Sequence, residues 1–222
     1  MEISNIVNAQ NQLDKKMADI AESFGEEAIY DGIISPGDYV RTKRKILWLA
    51  REPHDDCGDY DYKSEIMKGL NAGNIKKDKY FDLMRYLLYS IENDYISWED
   101  IPDSDTSEHI TNLLKEVAFI NCNKIPGGAN VKWDKFWLYS EAFREIVFDQ
   151  IKLAEPTVII CVGTKNYLDK YGYLDETIKS EKSYRNYYTK GNILILDCYH
   201  IAARISRQTY LDDIIKVLRE NQ

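Results

Sequence analysis

The sequence predicts an α/β protein: a three-layer α/β/α sandwich around a central, mainly parallel four-stranded sheet. Two observations carry this expectation. Apolar runs centred on Leu47-Trp48-Leu49, Val117-Ala118-Phe119-Ile120, Val158-Ile159-Ile160 and Ile193-Leu194-Ile195-Leu196 lack polar alternation, as strands buried on both faces of a parallel sheet do. Longer segments with apolar residues at helical spacing separate most of these runs, the pattern of parallel crossover units. A chain of 222 residues can bury one full core, and no linker divides it. We therefore expect a single domain over 1–222, with residues 1–40 forming an N-terminal helix and a connection packed on the rest.

In chain order, Ser4 to Phe24 reads as an amphipathic helix through Ile6, Leu13, Met17, Ile20, Ala21 and Phe24, stopped at Gly25. Asp31-Gly32 and Ser35-Pro36-Gly37-Asp38 mark turns in a connection without evident chemistry. After the first strand, a short helix is expected around Ser64–Leu70 and a packing helix over Lys79–Ile91, then a loop to Thr106 and a helix from Ser107 to Lys115. The second strand follows, then a largely helical stretch from Trp133 to Ala154. Pro156 precedes the third strand, and Gly163 to Asn166 opens another helix. Tyr184 to Thr189 can add an extra strand before the fourth core strand, and a closing helix carries Leu211, Ile214, Ile215 and Leu218.

The net charge of -8 counts against tight nonspecific binding to polyanions. A basic cluster, Arg41, Lys43, Arg44 and Lys45, precedes the first strand at its N-terminal end, where a solvated approach to the strand is the simpler account. Cys57, Cys122, Cys161 and Cys198 make no C-x-x-C pair, so no metal site or other cofactor is expected, and reduced thiols suit a cytoplasmic location. No apolar run approaches the roughly 20 residues of a membrane span. The 17 tyrosines suit base stacking and serve equally as amphipathic cover for helices.

Candidate chemistry gathers where the strands stop. Pro53 ends the first strand and delivers Glu52, His54, Asp55 and Asp56 to the C-terminal rim, the place where open α/β sheets bind ligands. The second strand ends in Asn121-Cys122-Asn123-Lys124; carboxamides at 121 and 123 can both donate and accept, as recognition of a pyrimidine edge requires. The third runs into Gly163, which permits close approach. The fourth stops at Cys198-Tyr199-His200. Parallel strands put these ends on one edge, so Glu52, His54, Asn121, Gly163 and His200 are expected to line one cleft.

The series Ala50-Arg51-Glu52-Pro53-His54, Phe119-Ile120-Asn121-Cys122-Asn123-Lys124, Ile160-Cys161-Val162-Gly163 and Tyr199-His200-Ile201-Ala202 resembles the strand-end motifs of the uracil-DNA glycosylase superfamily, over roughly residues 40 to 220. The resemblance implies that Glu52 stands where the family's water-activating carboxylate sits, Asn121 where the base-reading asparagine sits, and His200 where the histidine that stabilises the departing base sits. It also implies a stacking aromatic, for which Tyr60 or Tyr62 is placed, and DNA or another nucleobase-containing ligand as partner. Ala50 replaces the family's glycine, and Ile201-Ala202-Ala203 replaces its Pro-Ser segment; Ile205 then stands as a wedge and Arg204 or Arg207 as a phosphate contact. The function implied is a DNA glycosylase hydrolysing the N-glycosidic bond of uracil or another damaged base. Two alternatives stand beside it: a noncatalytic protein of the same fold that binds a nucleobase, nucleotide or protein, and a hydrolase or transferase acting on a nucleotide-like small molecule.

Overall fold

A computed structural model describes residues 2–53, 58, 60–72, 79–103, 107–128, 131–175, 177–182, 184–200 and 203–221. The chain opens with α1 (Ile3–Ser23), then β1 (Ile29–Tyr30), β2 (Gly32–Ile33), α2 (Pro36–Tyr39) and β3 (Ile46–Ala50). It continues through β4 (Tyr60–Asp61), α3 (Tyr62–Ala72), α4 (Lys79–Glu92) and α5 (Glu108–Asn112) to β5 (Val117–Asn121). Next come α6 (Trp133–Ala142), α7 (Arg144–Ala154), β6 (Val158–Val162) and α8 (Lys165–Lys170). The last elements are β7 (Ile178–Glu181), β8 (Asn186–Lys190), β9 (Ile193–Cys198) and α9 (Arg207–Glu220).

Among the described residues, seven strands form one mixed sheet in the order β2-β5-β3-β6-β9-β8-β7. The four apolar runs are its parallel interior: β3 pairs in parallel with β5 and β6, and β6 with β9. The expected four-stranded sheet is thus the middle of a larger one. Antiparallel β2 closes one side and the hairpin β7-β8 the other. These flanking strands are short or half-exposed, so their sequences carry no continuous apolar run to mark them. Among the parallel strands, the first in the chain lies between the second and the third, so the winding direction reverses between β3 and β6. Such a reversal leaves a crevice beyond the strand C-termini.

All five residues of β3 are buried, and they divide between the two faces. Ile46, Trp48 and Ala50 pack into a core with residues of α4 and α9, such as Met84, Leu87, Ile214 and Leu218. Leu47 and Leu49 pack on the other side with Val147 and Ile151 of α7 and Ile6 of α1. Helices therefore cover both faces of the sheet. The helical stretch 133–154 is two helices, because Phe143, fully buried, leaves helical geometry at φ -89° and ψ 1° between them. Three members of the basic cluster before β3 have partners: Arg41, though 70% exposed, holds Asp38, Lys45 holds Glu155, and Arg44 donates to Tyr95 Oη and to the carbonyls of Leu218 and Asn221.

The connection expected to be without chemistry holds a buried polar hub. Asp31 (1% exposed) lies between β1 and β2, and its carboxylate accepts from Asn121 N at 2.8 Å, Asn121 Nδ2 at 3.0 Å, Lys124 Nζ at 2.5 Å and Gln150 Nε2 at 3.0 Å. Gly32 follows at φ +139°, and a Cβ there would lie 2.7 Å from Gln10 Oε1, the acceptor for Ile33 N. Gly32→Ala combines backbone strain with loss of that hydrogen bond. We expect it to lower stability by about 1–3 kcal/mol, read as a reduced urea midpoint; a midpoint within error of the native value would refute the strain.

Candidate functional site

The C-terminal ends of β3 and β5 run on side by side beyond the sheet. Cys122 N donates to Ala50 O at 2.8 Å, Asn123 N to Arg51 O at 3.0 Å, and Gly127 N to Pro53 O at 2.8 Å. These bonds hold Glu52 and Asn123 at the wall of one pocket of about 150 Å³. Ile125, Gly127, Phe136 and Tyr139 also line it, with Lys132 and Lys135 of the α6 region and Glu26. Asn123 is 3% exposed and its Oδ1 accepts from Ile125 N at 2.9 Å, which fixes the carboxamide plane.

Glu52 is the unusual member. Among the described residues no donor reaches its buried Oε2, and burial raises its pKa above the ordinary carboxylate range while the Arg51 charge pulls the other way. A carboxylate so placed is ready to accept a hydrogen bond and to take up a proton closer to neutral pH. Gly127 makes this placement possible: a Cβ there would fall 2.3 Å from Glu52 Cγ.

His200 lies on the same rim, two strands away. Gly163 takes φ +70°, a left-handed conformation that favours glycine, and a Cβ there would lie in ordinary contact with His200 at 3.7 Å. Gly163 N donates to Cys198 O at 2.8 Å. Burial, and then the nearby charge of Arg51, lower the pKa of His200, so the imidazole is neutral at pH 7. Arg51 thus stands electrostatically between Glu52 and His200, and its guanidinium lies 5.9 Å from the Trp133 ring centroid.

The lowered pKa has a measurable consequence. As pH falls the unfolded chain takes up this proton first, so the stability contributed by neutral His200 is complete above about pH 6.5 and is lost as pH falls through its lowered folded value. His200→Gln is expected to flatten the fall of the urea midpoint between about pH 7 and 5. Parallel pH dependences in native protein and variant would contradict it.

Of the residues singled out from sequence, Glu52 and Asn123 share the pocket, and Gly163 and His200 share the neighbouring part of the rim. Asn121 does not line the pocket: it is 1% exposed and its carboxamide is committed to Asp31. Tyr60 sits in β4 beside β1, edge-on to Tyr62 at 5.0 Å, and Tyr62 packs on Phe119. His54 lies outside the described residues, as do Asp55, Asp56, Ile201 and Ala202. Ile205 is partly buried against the core, and Arg207, whose side chain is 40% exposed, donates to Asp82 at 2.8 Å. Arg51 stands in the first-strand motif without an assigned role, and Gly127 carries no motif of its own. Asp31 did leave a signal, a lone charge inside the apolar run Ala28-Ile29-Tyr30-Asp31-Gly32-Ile33-Ile34.

No metal-holding group of three or more His, Cys, Asp or Glu occurs among the described residues, and no described helix is long and apolar enough to cross a membrane. The chain is therefore defined at the level of class, an α/β protein with polar side chains gathered at the C-terminal rim of a mixed sheet. No family model matches it, and no curated protein matches its sequence at a significant level.

Proposed function

We propose that the rim acts on a nucleobase, hydrolysing the N-glycosidic bond of uracil or another damaged base in the manner of the uracil-DNA glycosylase superfamily. The observation that carries the reading is Glu52, whose buried Oε2 takes no hydrogen bond within the described residues and whose pocket it shares with the fixed carboxamide of Asn123. Cleavage of such a bond places positive charge on the sugar and negative charge on the departing base. A carboxylate of raised pKa orients and deprotonates water and opposes the first charge; a neutral imidazole beside an arginine donates to the second. Base reading then passes from Asn121 to Asn123, since only the latter lines the pocket.

The test is release of abasic product from uracil-containing single- and double-stranded oligonucleotides by native protein, Glu52→Ala and His200→Ala. Product from the native protein alone supports the reading. No product at high enzyme concentration removes the uracil version. Gly127→Ala gives an independent check, because its Cβ would push into Glu52 Cγ. It is expected to lower the rate by about 10-fold or more, as small misplacements of a catalytic group do, and an unchanged rate would detach the pocket from the chemistry.

A second reading has its own support. The net charge of -8, which repels a polyanion, suits a protein that binds a free nucleobase or nucleotide without turning it over. Saturable binding of free uracil or a nucleotide, lost in Asn123→Ala and unaccompanied by product, would favour it.

A further inference from the structure

Two aromatic side chains stand out from the same rim. Trp133, the first residue of α6, is 53% exposed, and Tyr199, just beyond β9, is 60% exposed. Both are held from one side. The Trp133 ring has Arg51 at 5.9 Å and the edge-on ring of Phe136 at 5.7 Å. The Tyr199 ring has Arg185 at 5.8 Å, and that guanidinium belongs to a residue only 5% exposed, anchored on Asp197 O at 3.0 Å and lying 5.3 Å from the Tyr210 ring. Tyr210 Oη donates to Tyr199 O at 2.9 Å, fixing the backbone as well. Both aromatics belong to one sheet edge: Trp133 lies beside Arg51, which follows β3, and Tyr199 follows β9, two strands away across β6.

We propose that Trp133 and Tyr199 are stacking platforms for the unpaired bases of a single-stranded nucleic acid laid along the strand C-termini. The proposal takes from the preceding reading only that the ligand carries nucleobases. A ring with a guanidinium on one side and solvent on the other keeps a free face for a base to cover. Exposed Lys132 and Lys135 flank the Trp133 end, where with Arg51 they offer cations to phosphate beside the carboxylates of Glu26 and Glu52, although the chain totals -8. That total weakens the long-range attraction on which duplex binding depends, whereas stacking needs no net charge and requires base faces that a duplex keeps covered. The exposed pair therefore favours a single strand over a duplex.

Fluorescence anisotropy with a labelled thymidine oligonucleotide of about 10 nucleotides tests this, against a duplex of equal length. The native protein is expected to bind the single strand more tightly. Trp133→Ala and Tyr199→Ala should each weaken it by roughly 5- to 150-fold, the equivalent of about 1–3 kcal/mol per stacked base at 1.4 kcal/mol per tenfold. Trp133→Phe and Tyr199→Phe, which keep a ring, should retain most of the affinity. Equal or tighter binding to duplex, no binding by the native protein, or native affinity in both alanine variants would each overturn the proposal. The two readings separate cleanly. Single-strand binding lost in the alanine variants, with no uracil excision by native protein, removes the uracil hydrolase and supports the platforms. Excision that is undiminished in both alanine variants sinks the platforms and leaves the hydrolase standing.

Discussion

Asp31→Ala is expected to lower stability by about 3–5 kcal/mol, the cost of breaking a buried ion pair from one side. Lys124 and Asp31 have fully buried side chains, and among the described residues Asp31 Oδ1 is the one hydrogen-bond acceptor of Lys124 Nζ. Burial lowers the Lys124 pKa in spite of that partner, so desolvation outweighs the attraction. Desolvation offsets much of the attraction in a buried ion pair, yet leaving half of it is costly. The asymmetry is the sharper expectation: Lys124→Met should cost clearly less, since Asp31 keeps Asn121 N, Asn121 Nδ2 and Gln150 Nε2 as donors. The double variant Asp31→Ala/Lys124→Met should recover part of the loss, a coupling that a double-mutant cycle on urea midpoints measures. Equal costs for the two single variants, or strict additivity in the double, would show that the hub is not coupled in this way.

This hub explains why the fold was more legible in the sequence than the site. Periodicity located the parallel strands because burial on both faces leaves continuous apolar runs, and β5 falls on Val117–Asn121 as expected. Periodicity is blind to β1, β2 and β4, each two residues long, and to β7, whose residues are mostly exposed. It is equally blind to the break at Phe143, where apolar spacing continues while the backbone turns. For the site, strand ends correctly pointed to one edge, because parallel pairing alone dictates that. What the sequence could not give is side-chain commitment. Asn121 and Asn123 are chemically identical and two residues apart, and only the position of Asp31, 90 residues earlier, decides which carboxamide is spent on structure.

Glu52→Gln is expected to lower the rate of base excision by about 10²–10⁴ while leaving the protein as stable as before or more so at pH 7. The first half follows from the role of general base: glutamine keeps size and polarity but cannot take a proton. The second follows from linkage. Burial raises the folded-state pKa of Glu52, so its stabilising contribution is fully present below the ordinary carboxylate pKa and is lost as pH rises through the raised folded value. At neutral pH the folded chain carries a poorly solvated charge, and removing it relieves rather than harms the fold. A merely structural glutamate would show the opposite pairing, lost stability with activity falling in step. The pH–rate profile adds a readout that misfolding cannot imitate. The native rate should fall on the acid side around a pKa above the usual glutamate value of about 4.3, and the residual rate of Glu52→Gln should lack that limb. Because His200 also titrates on the acid side, where protonation turns a neutral donor into a charged one, the profile of His200→Gln must be compared: it should retain the Glu52 limb at a lower overall rate. An acid limb that survives in Glu52→Gln and vanishes in His200→Gln would transfer the proton-accepting role from the carboxylate to the imidazole.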